Sequence, residues 1–310
     1  MKIILLLVSL FFQYSFSQTF TIPSYYQLDE NLSRDLQNIV RDLELDKNFD
    51  VGEDGIDQIS LAVIDLSEKQ PVLGGVNYDN FIYPASVYKM YVAAEILNQV
   101  SQGKFSLYQS YVAKEPNVVD RSKQIDNDPR PLLKGDDTVT VNYLLDLMIT
   151  RSDNSAANCL IDIAQRKNID SLLHNYGWYG SEVTRKFLKR KFEDPGYENI
   201  RGTETCAMHA ADFMYRIYSN TLVNKWVSLQ MKTLLGRQLD VSKLSKGLPK
   251  SAMFYHKTGW FAYWTNDVGI VDDGDIKYII ACFIPLKEEL ALPKFKILSE
   301  KVYELMNNKN

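Results

Sequence analysis

The chain reads as an α/β fold in which a discontinuous α/β layer wraps an inserted all-helical domain. Three observations predict it. Ile-, Leu- and Val-rich segments of strand length occur near both ends, in a group of two and a group of three. The long middle region shows helical apolar spacing instead. An amphipathic helix precedes the first strand group and another follows the last. The order helix, two strands, helical block, three strands, helix is met by residues 18–83 and 250–310 forming one layer and 84–249 the helical domain.

The first residues stand apart from this pattern. Met1-Lys2 is a short basic start, Ile3 to Phe12 a nearly unbroken apolar run, and Ser15-Phe16-Ser17 offers small residues for a signal peptidase. Residues 1–17 therefore read as a signal peptide cleaved near Ser17/Gln18. The run is too short to span a bilayer. No cysteine near the cleavage site calls for a lipid anchor. No later segment reaches membrane-span length. A periplasmic or secreted chain without stable membrane insertion is expected, and a monomer.

Along the rest of the chain, Asn31 to Leu45 places Leu32, Leu36, Ile39, Val40 and Leu43 near one helical face. Ile59 to Leu66 and Pro71 to Tyr78 read as a strand pair joined by Ser67-Glu68-Lys69-Gln70. Pro84 precedes a helical run from Ser86 to about Val100, and Gly103 breaks it. Val141 to Ile149, Ser155 to Ala164, Ile169 to Tyr176 and Ala207 to Tyr218 continue the helical pattern. Lys186 to Gly202 lacks periodicity and reads as a long structured loop. Strands return at Ala252 to His256, Ala262 to Val271 and Lys277 to Ile284, with Asp272-Asp273-Gly274-Asp275 as a hairpin turn. Phe295 to Met306 closes the chain as a helix.

The chain carries 35 Lys plus Arg against 39 Asp plus Glu, a formal charge of -4, which argues against a nucleic-acid groove. The 45% hydrophobic and 12% aromatic content argues for a packed core. Cys159, Cys206 and Cys282 are an odd set, so an oxidising compartment leaves at least one thiol unpaired. Cys159 and Cys282 read as small buried hydrophobes, and the spacing neither requires nor forbids a Cys159–Cys206 bridge. His174, His209 and His256 lack metal-ligand spacing. No Cys-x-x-Cys, His-Glu-x-x-His, Gly-x-Ser-x-Gly or phosphate loop occurs, so neither a metal nor any other cofactor is expected.

Three short motifs carry the chemistry. Ser86-Val87-Tyr88-Lys89 opens a helical run, where positions three apart share a face and Lys89 can reach the Ser86 hydroxyl. A serine hydroxyl needs a neighbouring base, and a lysine serves only if burial or nearby cations depress its pKa. Ser101-Gln102-Gly103-Lys104 has the same spacing but contains a helix breaker and reads as a loop. Ser152-Asp153-Asn154 lies between two helical runs. Ser152 can relay a proton to a leaving nitrogen, Asn154 can grip a substrate amide, and Asp153 points inward to hold the turn. Lys257-Thr258-Gly259 ends a strand. Lys257 and Thr258 suit a substrate carboxylate, and the Trp260 and Ser86 amides suit an oxyanion. Each motif alone is better explained as a helix cap, an N-cap cluster or a strand end. Three in this order, each at an element boundary, are not.

In these motifs the chain resembles the class A serine beta-lactamases and the related low-molecular-weight penicillin-binding D,D-peptidases. Ser155-Ala156-Ala157-Asn158, Gly202-Thr203-Glu204-Thr205 with Ala207-Met208, and Leu248-Pro249 extend the likeness from about Ile59 to the C-terminus. The resemblance implies a five-stranded antiparallel sheet flanked by terminal helices and packed on an all-helical domain. It also implies an acyl-enzyme on Ser86, with Lys89, Ser152 and Lys257 catalytic and Asn154, Thr258 and Trp260 binding substrate. One departure stands out. The family's omega-loop glutamate, in a Glu-x-x-Leu-Asn pattern, would fall near Lys189 or Arg190, and no such pattern exists there. Glu193 and Glu198 are the candidate replacements for this deacylation base, although both also read as solvated loop charges.

The leading expectation is a serine hydrolase opening the beta-lactam amide through an acyl-enzyme. The alternative is a D,D-peptidase or slowly deacylating penicillin-binding protein acting on peptidoglycan peptides. A third reading, a non-catalytic envelope protein, would use the aromatic run Trp260, Phe261, Tyr263 and Trp264. His256, beside the third motif, serves the fold more readily than the chemistry.

Overall fold

The structure, a computed structural model, describes residues 20–120 and 128–309. The expected signal segment and its cleavage site lie outside them. A two-residue strand, β1 (Gln27–Leu28), leads into α1 (Glu30–Asp42). Asp29 caps α1, its carboxylate accepting the amides of Asn31 and Leu32 at 2.8 and 3.0 Å. Leu32, Leu36, Ile39 and Val40 form its buried stripe. A small hairpin, β2 (Phe49–Asp50) and β3 (Ile56–Asp57), precedes the strand pair β4 (Ser60–Asp65) and β5 (Val72–Val76). A short 3-10 turn, Ala85–Tyr88, runs into α2 (Lys89–Ser101). Then follow the paired β6 (Ser110–Val112) and β7 (Thr138–Thr140) and the helices α3 (Val141–Thr150), α4 (Asn154–Ala164), α5 (Arg166–Asn175), α6 (Ala207–Tyr218) and α7 (Lys225–Leu235). The hairpins β8 (Met253–Phe261), β9 (Trp264–Asp273) and β10 (Ile276–Ile284), with α8 (Glu288–Asn307), complete the chain.

Among the described residues the main sheet has the order β1-β5-β4-β10-β9-β8. The five strands expected from sequence pair antiparallel, and β1 adds a parallel edge with Gln27 opposite Val72. Both faces are covered, which is why these strands read as near-continuous apolar runs. In β4, Leu61 and Val63 face α1 and α8, where they meet Leu36, Phe295, Leu298 and Val302. Ala62 and Ile64 face the opposite way, toward the helical core around α2 and α6. Full burial of a leucine or phenylalanine side chain stabilises the fold by about 1.5–3 kcal/mol.

The helix that follows Ser86 is the central one. Met90, Tyr91, Val92, Ala93, Ala94, Ile96 and Leu97 are all buried, so α2 is apolar on every side and packed all round. Its buried polar pair is mutually satisfied: Gln99 Nε2 donates to Glu95 Oε1 at 2.7 Å and to the Ala164 carbonyl at 2.9 Å.

Several boundaries differ from the sequence expectation. Helix α7 was not read from sequence, although Asn224 caps it at Val227 and Val227, Met231, Leu234 and Leu235 form its buried stripe. Helix α8 begins at Glu288, ahead of the expected Phe295, and runs through Pro293; a buried face of Ala291, Phe295, Leu298, Val302 and Met306 offsets the missing hydrogen bond. The three cysteines are free and buried, with no bridge between Cys159 and Cys206. Burial pushes both of those thiols up to about 12. No helix among the described residues is long and apolar enough to cross a membrane.

Candidate active site

The three motifs converge where the N-terminal end of α2, the α3–α4 junction and the edge strand β8 meet. Ser86 lies in the 3-10 turn, partly exposed, directly after Ala85 at φ 47°. Ser152 has φ 57°. Two non-glycine residues in the left-handed region cost on the order of 1–3 kcal/mol each, and both lie in or beside a motif.

Gly259 explains how β8 comes so close. A Cβ there would lie 2.7 Å from both the Pro84 carbonyl oxygen and the Ser86 nitrogen, and 2.9 Å from the Val87 nitrogen. Only a residue without a side chain lets the strand lie against the turn that carries Ser86. The third motif does not end its strand, as the sequence suggested. Lys257, Thr258 and Gly259 pair with Val268, Asp267 and Asn266, and β8 continues to Phe261.

Lys89 and Lys257 are fully buried and approach one hydroxyl from two elements. Lys89 Nζ donates to Ser152 Oγ at 3.2 Å, to the Ser152 carbonyl at 2.8 Å and to Asn154 Oδ1 at 2.7 Å. Lys257 Nζ donates to the same Ser152 Oγ at 3.1 Å and to the Thr258 carbonyl at 2.7 Å. Asp153 points inward as expected: it caps α4 through the Ala156 amide at 2.8 Å and is paired with Arg151 at 2.9 Å. Thr258 is buried, whereas Trp260 and Phe261 are 58% and 59% exposed on the rim. Trp264, from the same aromatic run, is buried and donates to Asp57 at 3.2 Å.

The long loop presents Phe187 to Lys89, two or three positions before the place counted from sequence. Its ring lies 4.1 Å from Lys89 Nζ and stacks on Tyr88 at 5.0 Å between centroids. Helix α4 sets this arrangement. Asn154 holds Lys89, and one turn later Asn158 Oδ1 accepts the Phe187 amide at 2.7 Å. Sequence reasoning missed Phe187 because an aromatic in an aperiodic, charge-rich loop carries no motif. Asp120, which binds Asn154, was missed because it lies 34 residues away in sequence.

Glu193 and Glu198 have other partners. Glu193 is buried and accepts from Arg166 at 2.7 Å and from the Lys186 amide at 2.9 Å. Burial raises its carboxyl pKa despite the Arg166 guanidinium. Glu198 is exposed and accepts the Gly196 amide at 2.9 Å. His256 is buried against Asp267 at 2.9 Å and stacked on Phe254, serving the fold. No cluster of His, Cys, Asp or Glu suited to a metal occurs among the described residues.

Residues 32–304 match the Beta-lactamase enzyme family. The chain belongs to that family. It is a serine hydrolase of the beta-lactamase superfamily. It is 28% identical over 229 residues to the extended-spectrum beta-lactamase PER-1 of Pseudomonas aeruginosa, covering 69% of this chain and 70% of that protein. Its fold is that of PBP-A, with a TM-score of 0.75 at 19% identity over 93% of this chain and 100% of the other. It is also that of a beta-lactamase from Sphaerobacter thermophilus DSM 20745, at 0.73 and 16% over 89% and 98%.

Proposed function

We propose that this protein is acylated on Ser86 by beta-lactams and by the peptide amides they mimic, and that it releases the acyl group slowly. Lys89, having released one of its hydrogens to solvent, acts as the free amine and takes the Ser86 proton as the oxygen attacks the carbonyl carbon. The Ser86 and Trp260 amides hold the oxyanion. As the carbon–nitrogen bond breaks, Ser152 gives its proton to the departing nitrogen, and Lys89 passes the proton taken from Ser86 on to Ser152 Oγ, 3.2 Å from its Nζ. Both lysines donate to the Ser152 oxygen, so the hydroxyl hydrogen is left to be given away. Lys257 and Thr258 receive the substrate carboxylate.

One observation carries the slow release: the Phe187 ring lies over Lys89. An aromatic ring cannot take a proton from water, and it fills space beside the base where a hydrolytic water would be activated. Glu193, held by Arg166 of α5, and Glu198, held within the loop, read as structural. This favours the D,D-peptidase or penicillin-binding reading, on peptidoglycan peptides outside the cytoplasm. Rapid beta-lactam hydrolysis is the second reading, favoured by the likeness to PER-1.

The test is incubation of the protein with benzylpenicillin and with a chromogenic cephalosporin, followed by intact-mass spectrometry. A long-lived one-to-one adduct, absent in Ser86→Ala, is expected with little turnover. Rapid multiple turnover would establish the second reading. No adduct and no turnover would refute both.

A further inference from the structure

Asp120 is a charged side chain at the cleft to which the three motifs give no role. It lies half-buried in the connection between β6 and β7. Its carboxylate accepts two hydrogens from Asn154: the backbone amide at 2.6 Å and the side-chain Nδ2 at 2.9 Å. Its own backbone is fixed in return. The amides of Val119 and Asp120 donate to Ser155 Oγ at 2.9 and 3.1 Å. Two consecutive residues of α4 thus grip two consecutive residues of the connection.

The consequence falls on the Asn154 side chain. Its Oδ1 accepts from Lys89 at 2.7 Å, while its Nδ2 donates to Asp120. An amide held by a cation at its oxygen and an anion at its nitrogen cannot be turned over. The flipped group would set NH₂ against the ammonium and oxygen against the carboxylate. Nδ2 carries two hydrogens, and donation to Asp120 uses one.

We infer that Asp120 is a positioning residue for substrate recognition. It locks the Asn154 amide so that the second Nδ2 hydrogen is presented to the carbonyl of an acylamido side chain, with Oδ1 kept on Lys89. The inference rests on the reading of Ser86 as nucleophile and Asn154 as substrate contact. The acylated amino group next to the reacting carbonyl, a feature that benzylpenicillin shares with N-acylated D-alanyl-D-alanine peptides, is the substrate group whose contribution Asp120 controls.

The experiment compares benzylpenicillin with 6-aminopenicillanic acid, which keeps the reacting ring but has a bare amine in place of the acylamide. Second-order acylation constants are measured by intact mass for wild type, Asp120→Asn and Asp120→Ala, with thermal midpoints in parallel. The benzylpenicillin constant should fall roughly tenfold in both variants, the loss of one charge-assisted hydrogen bond, while that for 6-aminopenicillanic acid falls less than about threefold. Equal losses for the two substrates would mean a merely structural role and would overturn the inference, as would an unchanged ratio. Asp120→Asn keeps the side-chain shape and carries the test if the alanine variant does not fold. If wild type takes no adduct, the Ser86 reading fails and the inference falls with it. If wild type is acylated and the ratio does not move, only the Asp120 assignment fails.

Discussion

The ammonium of Lys89 lies 4.1 Å from the centre of the Phe187 ring, on a loop that Asn158 ties by its backbone to the helix bearing Asn154. The base that would serve acylation therefore faces an aromatic side chain. Phe187→Glu should shorten the lifetime of the benzylpenicillin adduct at least about tenfold, since a placed general base is worth about 10²–10⁴-fold. Acylation should stay within about threefold. The check is the decay of the acylated mass after a short pulse of the drug. An unchanged lifetime would show that Phe187 does not limit release.

Gly259→Ala places a methyl group against backbone atoms of Pro84, Ser86 and Val87, none of which can move as a side chain would. The strand or the nucleophile turn must shift. Denaturant unfolding should show a loss of about 1–3 kcal/mol, as for other overpacked sites. Acylation should fall roughly 100-fold, because displacement of about 1 Å at a reacting centre costs that much. Acylation at the wild-type rate would show that the close approach of β8 is not needed.

Glu193→Gln separates a structural carboxylate from a catalytic one. Breaking its buried pair with Arg166 should cost about 3–5 kcal/mol. Glu198→Gln, on the exposed loop, should change stability by less than about 0.5 kcal/mol. In both, the adduct lifetime of the folded fraction should match wild type. A selective slowing of deacylation in either variant would reinstate that residue as the base.

His209 gives the protein a pH dependence of known sign. Burial lowers its pKa to about 3, and its Nδ1 lies 2.8 Å from Ser181 Oγ. Below its unfolded value of about 6.5 the unfolded chain binds a proton that the folded ring does not, so stability falls with acid. The contribution is complete above about pH 6.5 and is lost toward about pH 3, at close to 1.4 kcal/mol per unit. His209→Gln should flatten the urea midpoint between about pH 4 and pH 7. An equal slope in both proteins would assign the acid sensitivity elsewhere.

The amino-acid order by itself fixed the segments and the chemistry they carry. Apolar runs such as Ile59 to Leu66 and Lys277 to Ile284 are legible because strands buried on both faces leave no polar alternation. The three motifs are legible because each gathers its hydroxyl, amide or cationic side chains within one short run of the chain. Ser86 and Lys89 lie in one turn, so their proximity is a property of local geometry. Boundaries were less legible: α7 and the first turns of α8 depend on which face finds a partner, and propensity near Pro293 points the other way. What only the tertiary structure decided is which side chains meet across the cleft. That Lys89 and Lys257 share Ser152 Oγ, that Asp120 grips Asn154 and that Phe187 covers Lys89 are contacts between residues 34 to 105 positions apart. Spacing carries no information at that range, because what holds such contacts is the packing of α4 against α2 and of β8 against the nucleophile turn.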